Sequence, residues 1–541
     1  MTSGSARPSR GTGLLLLVAL AGAGTMVVEL SAVRLLAPWF GASAAVWTNV
    51  IGVVLLALSV GYLLGARLAA GERPRRSLAL ALFASALWVA WLPALAGPLA
   101  GLFLPSGVPL ERAAPLLLWG SLASSLLLFG PAALALGCVG PLAVELVQQG
   151  GQLHAGTAGG RVLGASTLGS LAGTFGTTHL LVPSLGLSVT FGLAAGVLAA
   201  LGLWVALGQR GGGAVLALVP ASALLGPGYR TPELSPSLRL LDEEQSPYQA
   251  VRVVESGEGA DLLRQLQVNE GLDSFQSVWT PEPGLLPAGY YYNQFALPAA
   301  WEAQEGSTWR VLVLGLGAGT SLRVLEGALP PEVRLEAVGV ELDPVVVELA
   351  ERWMDLPTAE PWATVIAGQD ARTALDLLVR AGERFDQVIL DTYANQVEIP
   401  AHLATRELFA RCREALRPGG WLTINVGGFA ADDPVLLAVA GTAASAFDHE
   451  ASVLRVPFSR NWAVHLRRDA SVPTPGSPSW LAARGPARAL LGALEVPGAS
   501  LSVPPLKEAE VLTDDRSPLE DLQRRSLALA RQRRAAKEAA R

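Results

Sequence analysis

The chain has 541 residues, of which 51% are hydrophobic and only 16% are charged, and its formal net charge is −6. It is too long for one ordinary domain, and this composition is typical of a membrane protein joined to a soluble part. The acidic balance excludes a basic surface for nucleic acid at the level of the whole chain. Cys138 and Cys412 lie far apart and the five histidines are scattered. We therefore predict neither a disulfide framework nor a metal site.

Residues 1–227 are predicted to form a transmembrane helical domain. About 20 apolar residues are needed to cross a bilayer core, and six such runs occur, at 12–36, 45–66, 77–97, 115–147, 161–182 and 186–207. Pro131 and Pro141 interrupt the fourth run, which we expect to be a bent span or a span followed by a re-entrant piece. A short seventh run, 213–226, either lies in the interface or crosses the bilayer.

Arginines around these runs predict the orientation. Arg7 and Arg10 precede the first run, which we take as a retained helix because further runs follow it directly. The connection after the second run, residues 67–76, is also rich in arginine. The positive-inside rule places both on the cytoplasmic side. If the run at 213–226 does not cross, the second half of the chain is cytoplasmic too, in a multi-pass protein of the plasma membrane.

Two features of the apolar half have more than one interpretation. Glu29 and Arg34 lie in or near the first run, where a charge is costly. One interpretation is that they contact a substrate. The other is structural: they form a salt bridge within the helical bundle, or Arg34 extends to the membrane interface. The stretch 155–177 is rich in glycine and alanine, which allow helix backbones to approach closely, so we predict that it packs tightly.

Beyond the apolar half the composition becomes polar, and we divide it into four parts. Residues 228–245 are a predicted linker, 246–300 a small β-region with strands at 250–255 and 263–269, 301–475 the main domain, and 476–541 a C-terminal extension. The extension ends in a basic helical tail, which either binds anionic lipid headgroups or is a solvated helix.

Strands and helices alternate in the main domain. Strands are predicted at 310–315, 335–341, 362–367, 385–391 and 421–426, and helices at 319–328, 343–354, 371–381 and 405–416. The strands are continuous apolar runs, as expected when helices cover both faces of a sheet. The pattern predicts an α/β fold with a doubly wound, mostly parallel, Rossmann-like sheet. Ligands in such sheets bind beyond the carboxyl ends of the strands.

The first of these strands runs into a glycine loop, "VLVLGLGAGTSLR". Gly315, Gly317 and Gly319 allow a tight turn and close approach of a ligand. Glu341 ends the second strand, on the order of 20 residues downstream, where an acidic residue accepts hydrogen bonds from ribose hydroxyls. The alternative for Glu341 is a charge at a helix start. The loop lacks the Lys-Ser/Thr ending of a P-loop, which leaves a dinucleotide or an S-adenosyl compound as the ligand.

Several motifs resemble, in order along the chain, those of the spermidine synthase family of polyamine aminopropyltransferases. They are "SPYQAVRVVE", "RVLVLGLGAGTSLR", "GVELDP", "GQDARTAL", "FDQVILDTYANQ" and "LRPGGWLTINV", and "LTDDRSPLEDL" is similar to the closing motif of the family. The apolar half, with "VVELSAVRLLAPWFG", is similar to membrane-fused, multi-span members. The resemblance covers about 240–470.

The resemblance implies a reaction and a set of ligand contacts. These enzymes move an aminopropyl group from decarboxylated S-adenosylmethionine to a polyamine such as putrescine, without a metal. Gln249 matches a glutamine that contacts the ligand, and Glu341 matches the ribose-binding glutamate. Asp370, with Ala371, matches the adenine contact, although Asp370 is equally well placed to cap the next helix. Asp391 matches the first aspartate of the Asp-x-x-Asp motif and is our predicted catalytic residue.

The chain departs from the family pattern on the side of the amine. The second aspartate of the motif, to which the family assigns the base, is Ala394, and the acidic residue of the glycine loop is Ala318. The Tyr-His-Glu segment of the family corresponds to "YYN", Tyr291 to Asn293. Tyr292 and Tyr393 either assist catalysis or pack in the core, and an unperturbed tyrosine is a poor base at neutral pH. The nucleoside side is therefore expected to be intact and the diamine side eroded.

Three functions remain open from the sequence. The first is a membrane-anchored aminopropyltransferase, and the second is a methyltransferase that uses S-adenosylmethionine on another acceptor. The third is a non-catalytic sensor or transporter whose soluble domain binds a nucleoside. The expected partners are a small amine and the lipid bilayer, with no nucleic acid, and a homodimer is compatible with these expectations.

Overall fold

The structure is a computed structural model that describes residues 10–40, 44–103, 110–151, 153–207, 234–246, 248–268, 276–393 and 399–539. It divides into a helical unit, which ends before residue 234, and an α/β unit, which contains most of the chain from Leu234 onward. The predicted run at 213–226 and the first part of the predicted linker lie outside the described residues.

The helical unit is built from long apolar helices. Its helices are α1 (Arg10–Phe40), α2 (Ala44–Ala69), α3 (Pro74–Phe103), α4 (Leu110–Gly137), α5 (Val139–Gly151), α6 (Ala155–Gly176) and α7 (Val182–Ala206), with a π-helical turn, Thr177–Leu181, between the last two. Five helical segments of the described residues are long and apolar enough to cross a membrane. The predicted span at 161–182 forms α6 and the π-helical turn. It is not one of the five segments, because its many glycines make it less apolar than they are.

The interrupted fourth run contains two helices, α4 and α5, which meet at Cys138. Pro141 lacks the N–H that would donate to the carbonyl oxygen of Gly137, and its ring clashes with that carbonyl in a continuous helix. At the junction of the two helices, the Cys138 N–H donates to the carbonyl oxygen of Ala135, three residues earlier, and not to the residue four earlier as in a regular α-helix. The predicted bend therefore has a local cause at Pro141.

The prediction of tight packing at 155–177 is confirmed. A Cβ atom at Gly169 would lie 1.8 Å from the carbonyl oxygen of Ala19, and one at Gly173 would lie 2.6 Å from that of Ala23. The backbones of α1 and α6 are therefore in direct contact, which only glycine permits at these positions.

The α/β unit begins with a small antiparallel sheet in the order β1-β2-β3-β4. Its strands are β1 (Arg239–Gln245), β2 (Ala250–Ser256), β3 (Leu263–Val268) and β4 (Ser277–Trp279). The predicted linker thus ends earlier than expected, because residues 239–245 pair with β2. This strand is polar, as is usual for a strand at the edge of a sheet, and carries no apolar run that signals a strand in the sequence.

The main sheet has eight strands in the order β12-β10-β11-β9-β8-β5-β6-β7. The parallel part consists of β5 (Thr308–Leu314), β6 (Arg334–Glu341), β7 (Ala363–Ala367), β8 (Phe385–Leu390) and β9 (Leu416–Gly427). Helices connect these strands: α9 (Thr320–Ala328), α10 (Pro344–Trp353), α11 (Ala371–Arg380) and α12 (Arg406–Ala415), with the short α8 (Leu297–Glu302) before β5. The predicted doubly wound fold is confirmed.

The strand order reverses between β5 and β8, which are adjacent and parallel although two strands separate them in sequence. Such a switch point opens a crevice at the carboxyl ends of the two strands. The glycine loop follows β5 and Asp391 follows β8, so both predicted features flank the crevice.

The predicted C-terminal extension is part of the same unit. The antiparallel strands β10 (Ala451–Arg455) and β11 (Asn461–Arg467) continue the sheet from β9, and β12 (Ser500–Val503) pairs with β10. Helix α13 (Pro434–Phe447) precedes these strands, the short α14 (Pro478–Leu481) and α15 (Leu491–Leu494) follow β11, and α16 (Leu519–Ala539) forms the basic tail. Leu519 is fully buried in the core. A boundary at residue 475 therefore does not separate a domain.

Candidate active site

The glycine loop turns sharply because its glycines adopt positive φ. The φ angles are 83° at Gly315, 55° at Gly317 and 81° at Gly319, a region that other residues rarely adopt. A Cβ atom at Gly315 would lie 2.3 Å from the carbonyl oxygen of Asp391. The loop after β5 and the chain after β8 are therefore in backbone contact at the switch point.

Every backbone amide of this loop donates a hydrogen bond within the protein. Gly315 and Leu316 donate to Val340, and Gly319 donates to Leu316. Gly317 donates to Glu341, and Ala318 donates to the hydroxyl of Ser277. A loop that cradles a pyrophosphate needs amides directed at the ligand. The arrangement here favours a ligand without phosphates at this turn, such as an S-adenosyl compound, over a dinucleotide.

Glu341 ends β6 beside this loop. Its Oε2 accepts the Gly317 N–H at 2.8 Å, and its Oε1 accepts the Asp343 N–H at 3.0 Å. A carboxylate has about four acceptor sites, so Glu341 can accept a further hydrogen bond, as a ribose contact requires. Asp343, rather than Glu341, caps α10 by accepting the Val345 N–H. The helix-start interpretation therefore applies to Asp343, and the ribose contact of Glu341 stays a prediction.

Asp370 caps α11, as one of its two interpretations predicted. Its Oδ1 accepts the N–H groups of Arg372 and Thr373, and its Oδ2 lies 3.0 Å from His402 Nε2. Burial acts to raise the pKa of Asp370, but His402 and the helix amides outweigh it, so the pKa lies below its usual value. Ala371 is the first residue of α11. The adenine contact of both residues stays a prediction.

Asp391 lies at the tip of β8 and is held in place by its neighbours. Asn425 on β9 donates from Nδ2 to Asp391 Oδ1 at 2.8 Å, and the Tyr291 hydroxyl also bonds to this carboxylate. Burial raises the pKa of Asp391 to about 6, and these two hydrogen bonds limit the rise, whereas the nearby charge of Glu341 adds to it. Such a carboxylate is ionised at neutral pH and is basic enough to accept a proton.

The tyrosines near Asp391 are structural, in agreement with their packing interpretation. The Tyr292 hydroxyl donates to the carbonyl oxygen of Gln276, and the Tyr393 hydroxyl accepts the Gly427 N–H and donates to Asn425. Burial, together with the charge of Asp391, raises the pKa of both Tyr292 and Tyr393 above their usual value. That direction is unfavourable for a general base.

The positions that depart from the family pattern carry no charge. Ala318 is 1% exposed, and its amide bonds to Ser277. Asn293 is buried, and its amide group both accepts from and donates to the backbone of Leu286. Ala394 lies outside the described residues. Gln249 lies in the turn between β1 and β2, and its ligand contact stays a prediction.

Sequence reasoning missed two groups that hold the site together. Asn425 positions Asp391 and is itself oriented by Asn461, which donates from Nδ2 to Asn425 Oδ1 at 2.8 Å. Ser277, from the small sheet, supports the glycine loop across 41 residues of sequence. Both contacts are long-range. The sequence contains one signal for Asn425, its position near the carboxyl end of a predicted strand, and none for Ser277.

The fold and the site define the chain as an α/β protein with a doubly wound, Rossmann-like sheet and with carboxylates at the tips of neighbouring parallel strands. Among the described residues, no group of three or more His, Cys, Asp or Glu side chains is arranged to hold a metal ion.

Comparison with known proteins points to one class of transferase. No family model matches the chain. A "probable polyamine aminopropyl transferase" of Bifidobacterium longum is 30% identical over 179 residues, which cover 31% of this chain and 36% of that protein. The polyamine aminopropyltransferase of Mycobacterium tuberculosis is 28% identical over 172 residues, 31% of this chain and 33% of that protein. The chain thus spans about a third of the length of the curated relatives it matches.

Among solved structures, a "probable spermidine synthase" from Corynebacterium glutamicum aligns at 22% identity with a TM-score of 0.38, over 49% of this chain and 90% of that chain. The sequence matches show that the chain is similar to the polyamine aminopropyltransferases over about a third of its length. The resemblance predicted from the motifs is confirmed to that extent.

Proposed function

We propose that this protein is a membrane-anchored transferase that moves an aminopropyl group from decarboxylated S-adenosylmethionine to a small amine. The observation that carries the proposal is the pair of carboxylates at the switch point, Glu341 beside the glycine loop and Asp391 opposite it. The sequence similarity to polyamine aminopropyltransferases supports the same reaction.

In this proposal the two carboxylates divide the work. Glu341 binds the ribose hydroxyls. The backbone amides of the glycine loop already donate within the protein, so the loop packs against the nucleoside without donating hydrogen bonds to it. Asp391 accepts a proton from the ammonium of the acceptor, which frees the nitrogen lone pair. The nitrogen then attacks the aminopropyl carbon next to the sulfonium. A C–N bond forms, the C–S bond breaks, and the sulfur leaves as 5′-methylthioadenosine.

The surroundings of Asp391 favour an acceptor with a single cationic group at the site. Ala318 and Asn293 provide no charge to hold a second ammonium, and the hydroxyls of Tyr292 and Tyr393 are occupied. A diamine such as putrescine would leave one ammonium without a carboxylate among the described residues around Asp391, which is costly in a partly buried site. We therefore propose a monocationic amine in place of a diamine.

The proposal also places the protein in the plasma membrane, with the transferase unit in the cytoplasm. The five apolar helical segments support insertion into a bilayer, and the arginines at 67–76 support a cytoplasmic side for the connection between α2 and α3. The nucleoside co-substrate of the proposed reaction is an intracellular metabolite, which is consistent with a transferase unit on the cytoplasmic side of the membrane.

Methyl transfer from S-adenosylmethionine is the second candidate, because the same fold and ribose contact serve both co-substrates. The two differ in the group transferred and hence in the nucleoside product, which is S-adenosylhomocysteine for methyl transfer.

Nucleoside binding tests the shared basis of both candidates. We expect Glu341→Ala to weaken the binding of 5′-methylthioadenosine at least tenfold, measured by titration calorimetry on the full chain in detergent, because two ribose hydrogen bonds to a carboxylate are lost. Glu336→Ala is the matched control, since Glu336 lies on the same strand and pairs with Arg310. Equal affinity of wild type and Glu341→Ala would remove the ribose assignment.

A further inference from the structure

His402 belongs to none of the motifs described above, yet its ring contacts Asp370, the residue predicted to bind adenine. His402 lies in the 3₁₀ segment Ala401–Leu403, in the connection after β8, whereas Asp370 lies after β7. Strands β5 and β6 lie between β8 and β7 in the sheet. The contact thus joins two connections that flank, in the strand order, the tips of β5 and β6, where the glycine loop and Glu341 lie.

The two oxygens of the Asp370 carboxylate have different partners. Oδ1 accepts the N–H groups of Arg372 and Thr373 at the start of α11, and Oδ2 lies 3.0 Å from His402 Nε2. An ionised carboxylate cannot donate, so the ring nitrogen of His402 is the donor. A carboxylate has about four acceptor sites, and the described residues use three of them. Asp370 is therefore fixed at both oxygens and can accept one further hydrogen bond.

His402 is held in turn by its neighbours. Leu403, the next residue, is 4% exposed and belongs to the core. The His402 carbonyl oxygen accepts from Arg372 Nη1 at 3.2 Å, and the same guanidinium pairs with Asp514. Asp514 also accepts the Thr405 hydroxyl at 2.8 Å. The ring of His402 is half exposed, so its orientation depends on this support of its backbone.

An ionised carboxylate with one free acceptor site distinguishes two kinds of purine. Adenine carries at C6 an amino group, which donates hydrogen bonds, whereas a 6-oxopurine carries there an oxygen, which only accepts them. A site built to hydrogen-bond a donor strongly rejects an analogue that lacks it, because the polar group of the site is left unpaired. The discrimination depends on a carboxylate that is ionised and held in one orientation.

We propose that His402 is a positioning residue for the nucleobase, which acts through Asp370 to make the site selective for a 6-aminopurine over a 6-oxopurine. The inference rests on the proposed transferase function and names a residue that sets the ligand specificity of its nucleoside site. Without the His402 donor, only Oδ1 of Asp370 is held, by the amides of α11, and the other oxygen is free to move away from the base.

Two nucleosides that differ only at C6 test the inference, 5′-methylthioadenosine and 5′-methylthioinosine. Their affinities are measured by calorimetry on the full chain in detergent, and their ratio is compared because a merely structural change weakens both alike. We expect wild type to prefer the amino compound by about tenfold or more. In His402→Phe the preference should fall to about threefold or less, whereas His402→Gln, which can still donate to Asp370, should retain most of it.

Two further variants complete the test. Asp370→Asn keeps the helix cap, since asparagine caps as well as aspartate, but its amide can donate to an oxo group, so we expect the preference for the amino compound to be lost. His449→Phe is the matched control. His449 lies before β10, and its Nε2 bonds to the carbonyl oxygen of Arg467, so its removal should leave the preference unchanged.

The contrary outcomes are distinct. Equal preference in wild type and His402→Phe overturns the inference and leaves the transferase proposal in place. An unchanged preference in Asp370→Asn, or an equal loss in His449→Phe and His402→Phe, also overturns it, as does the absence of any preference in a wild type that binds 5′-methylthioadenosine. Failure of wild type to bind either nucleoside overturns the transferase proposal and the inference together.

Discussion

Asp391 shows how a single residue acquires its chemistry from its surroundings. In the unfolded chain its carboxyl would titrate near 3.8, but burial raises the pKa to about 6 in the fold. The raised value makes the carboxylate a better proton acceptor, and Asn425 and Tyr291 keep the rise small enough for it to stay ionised at neutral pH. The position of Asp391 at a strand end was predictable from sequence, whereas its pKa depends on partners that are distant in the chain.

The pH profile of the reaction should report this carboxylate. Only the ionised form accepts a proton, so we expect kcat/KM to fall as the pH drops through about 6. In Asn425→Ala the hydrogen bond that stabilises the carboxylate is lost, and the falling limb should move to higher pH by about one unit. Thr423→Val, on the same strand, is the control and should leave the limb in place. An unshifted limb in Asn425→Ala would show that another group titrates.

At the scale of elements, the sequence predicted the strands and helices of the parallel sheet closely. Continuous apolar runs mark β5, β6 and β8, and the glycine loop marks the start of α9. β1, β4, β10, β11 and β12 were not predicted. β1, β4 and β12 are polar or short and lie at sheet edges, where backbone pairing rather than a buried side-chain pattern defines a strand, and β10 and β11 follow the last strand of the alternating pattern. The contact of Ser277 with the glycine loop could not be predicted from a local sequence pattern, because the two lie 41 residues apart in the chain.

The contact at Gly315 between the loop after β5 and the chain after β8 should be sensitive to one added carbon. We expect Gly315→Ala to lower the thermal unfolding midpoint and the nucleoside affinity, because its Cβ would lie 2.3 Å from the Asp391 carbonyl oxygen. Gly382→Ala is a matched control, since Gly382 has a φ of 84° but nothing within 4 Å of the added atom. It should cost only the strain of positive φ, about 1 kcal/mol. Equal effects of the two changes would contradict a close contact at Gly315.

The α1–α6 contact in the helical unit makes a similar prediction. Gly169→Ala places a Cβ 1.8 Å from the carbonyl oxygen of Ala19, so the helices must separate, and we expect a lower unfolding midpoint in detergent. Gly164→Ala on the same helix meets nothing within 4 Å and should be neutral or slightly stabilising, since alanine favours helix by about 1 kcal/mol. Destabilisation by Gly164→Ala as large as that by Gly169→Ala would argue against this close crossing.

At the scale of the whole molecule, composition alone separated an apolar helical half from an α/β half, and both are present in the structure. The boundaries inside the second half were less predictable. Residues 476–541 carry no strong strand pattern, yet β12 completes the sheet and Leu519 of α16 is buried in its core. The composition of a segment indicates whether it is soluble, but its place in a shared core depends on pairing and packing with residues far away in sequence.

The central claim is that the carboxylates at the switch point serve aminopropyl transfer, and the nucleoside product tests it most directly. The purified full chain is incubated with decarboxylated S-adenosylmethionine or S-adenosylmethionine, together with a panel of amines, and the nucleoside products are separated by chromatography. We expect amine-dependent release of 5′-methylthioadenosine from decarboxylated S-adenosylmethionine, which Asp391→Asn abolishes. Release of S-adenosylhomocysteine alone, or no product from a protein that still binds the nucleoside, would contradict the claim.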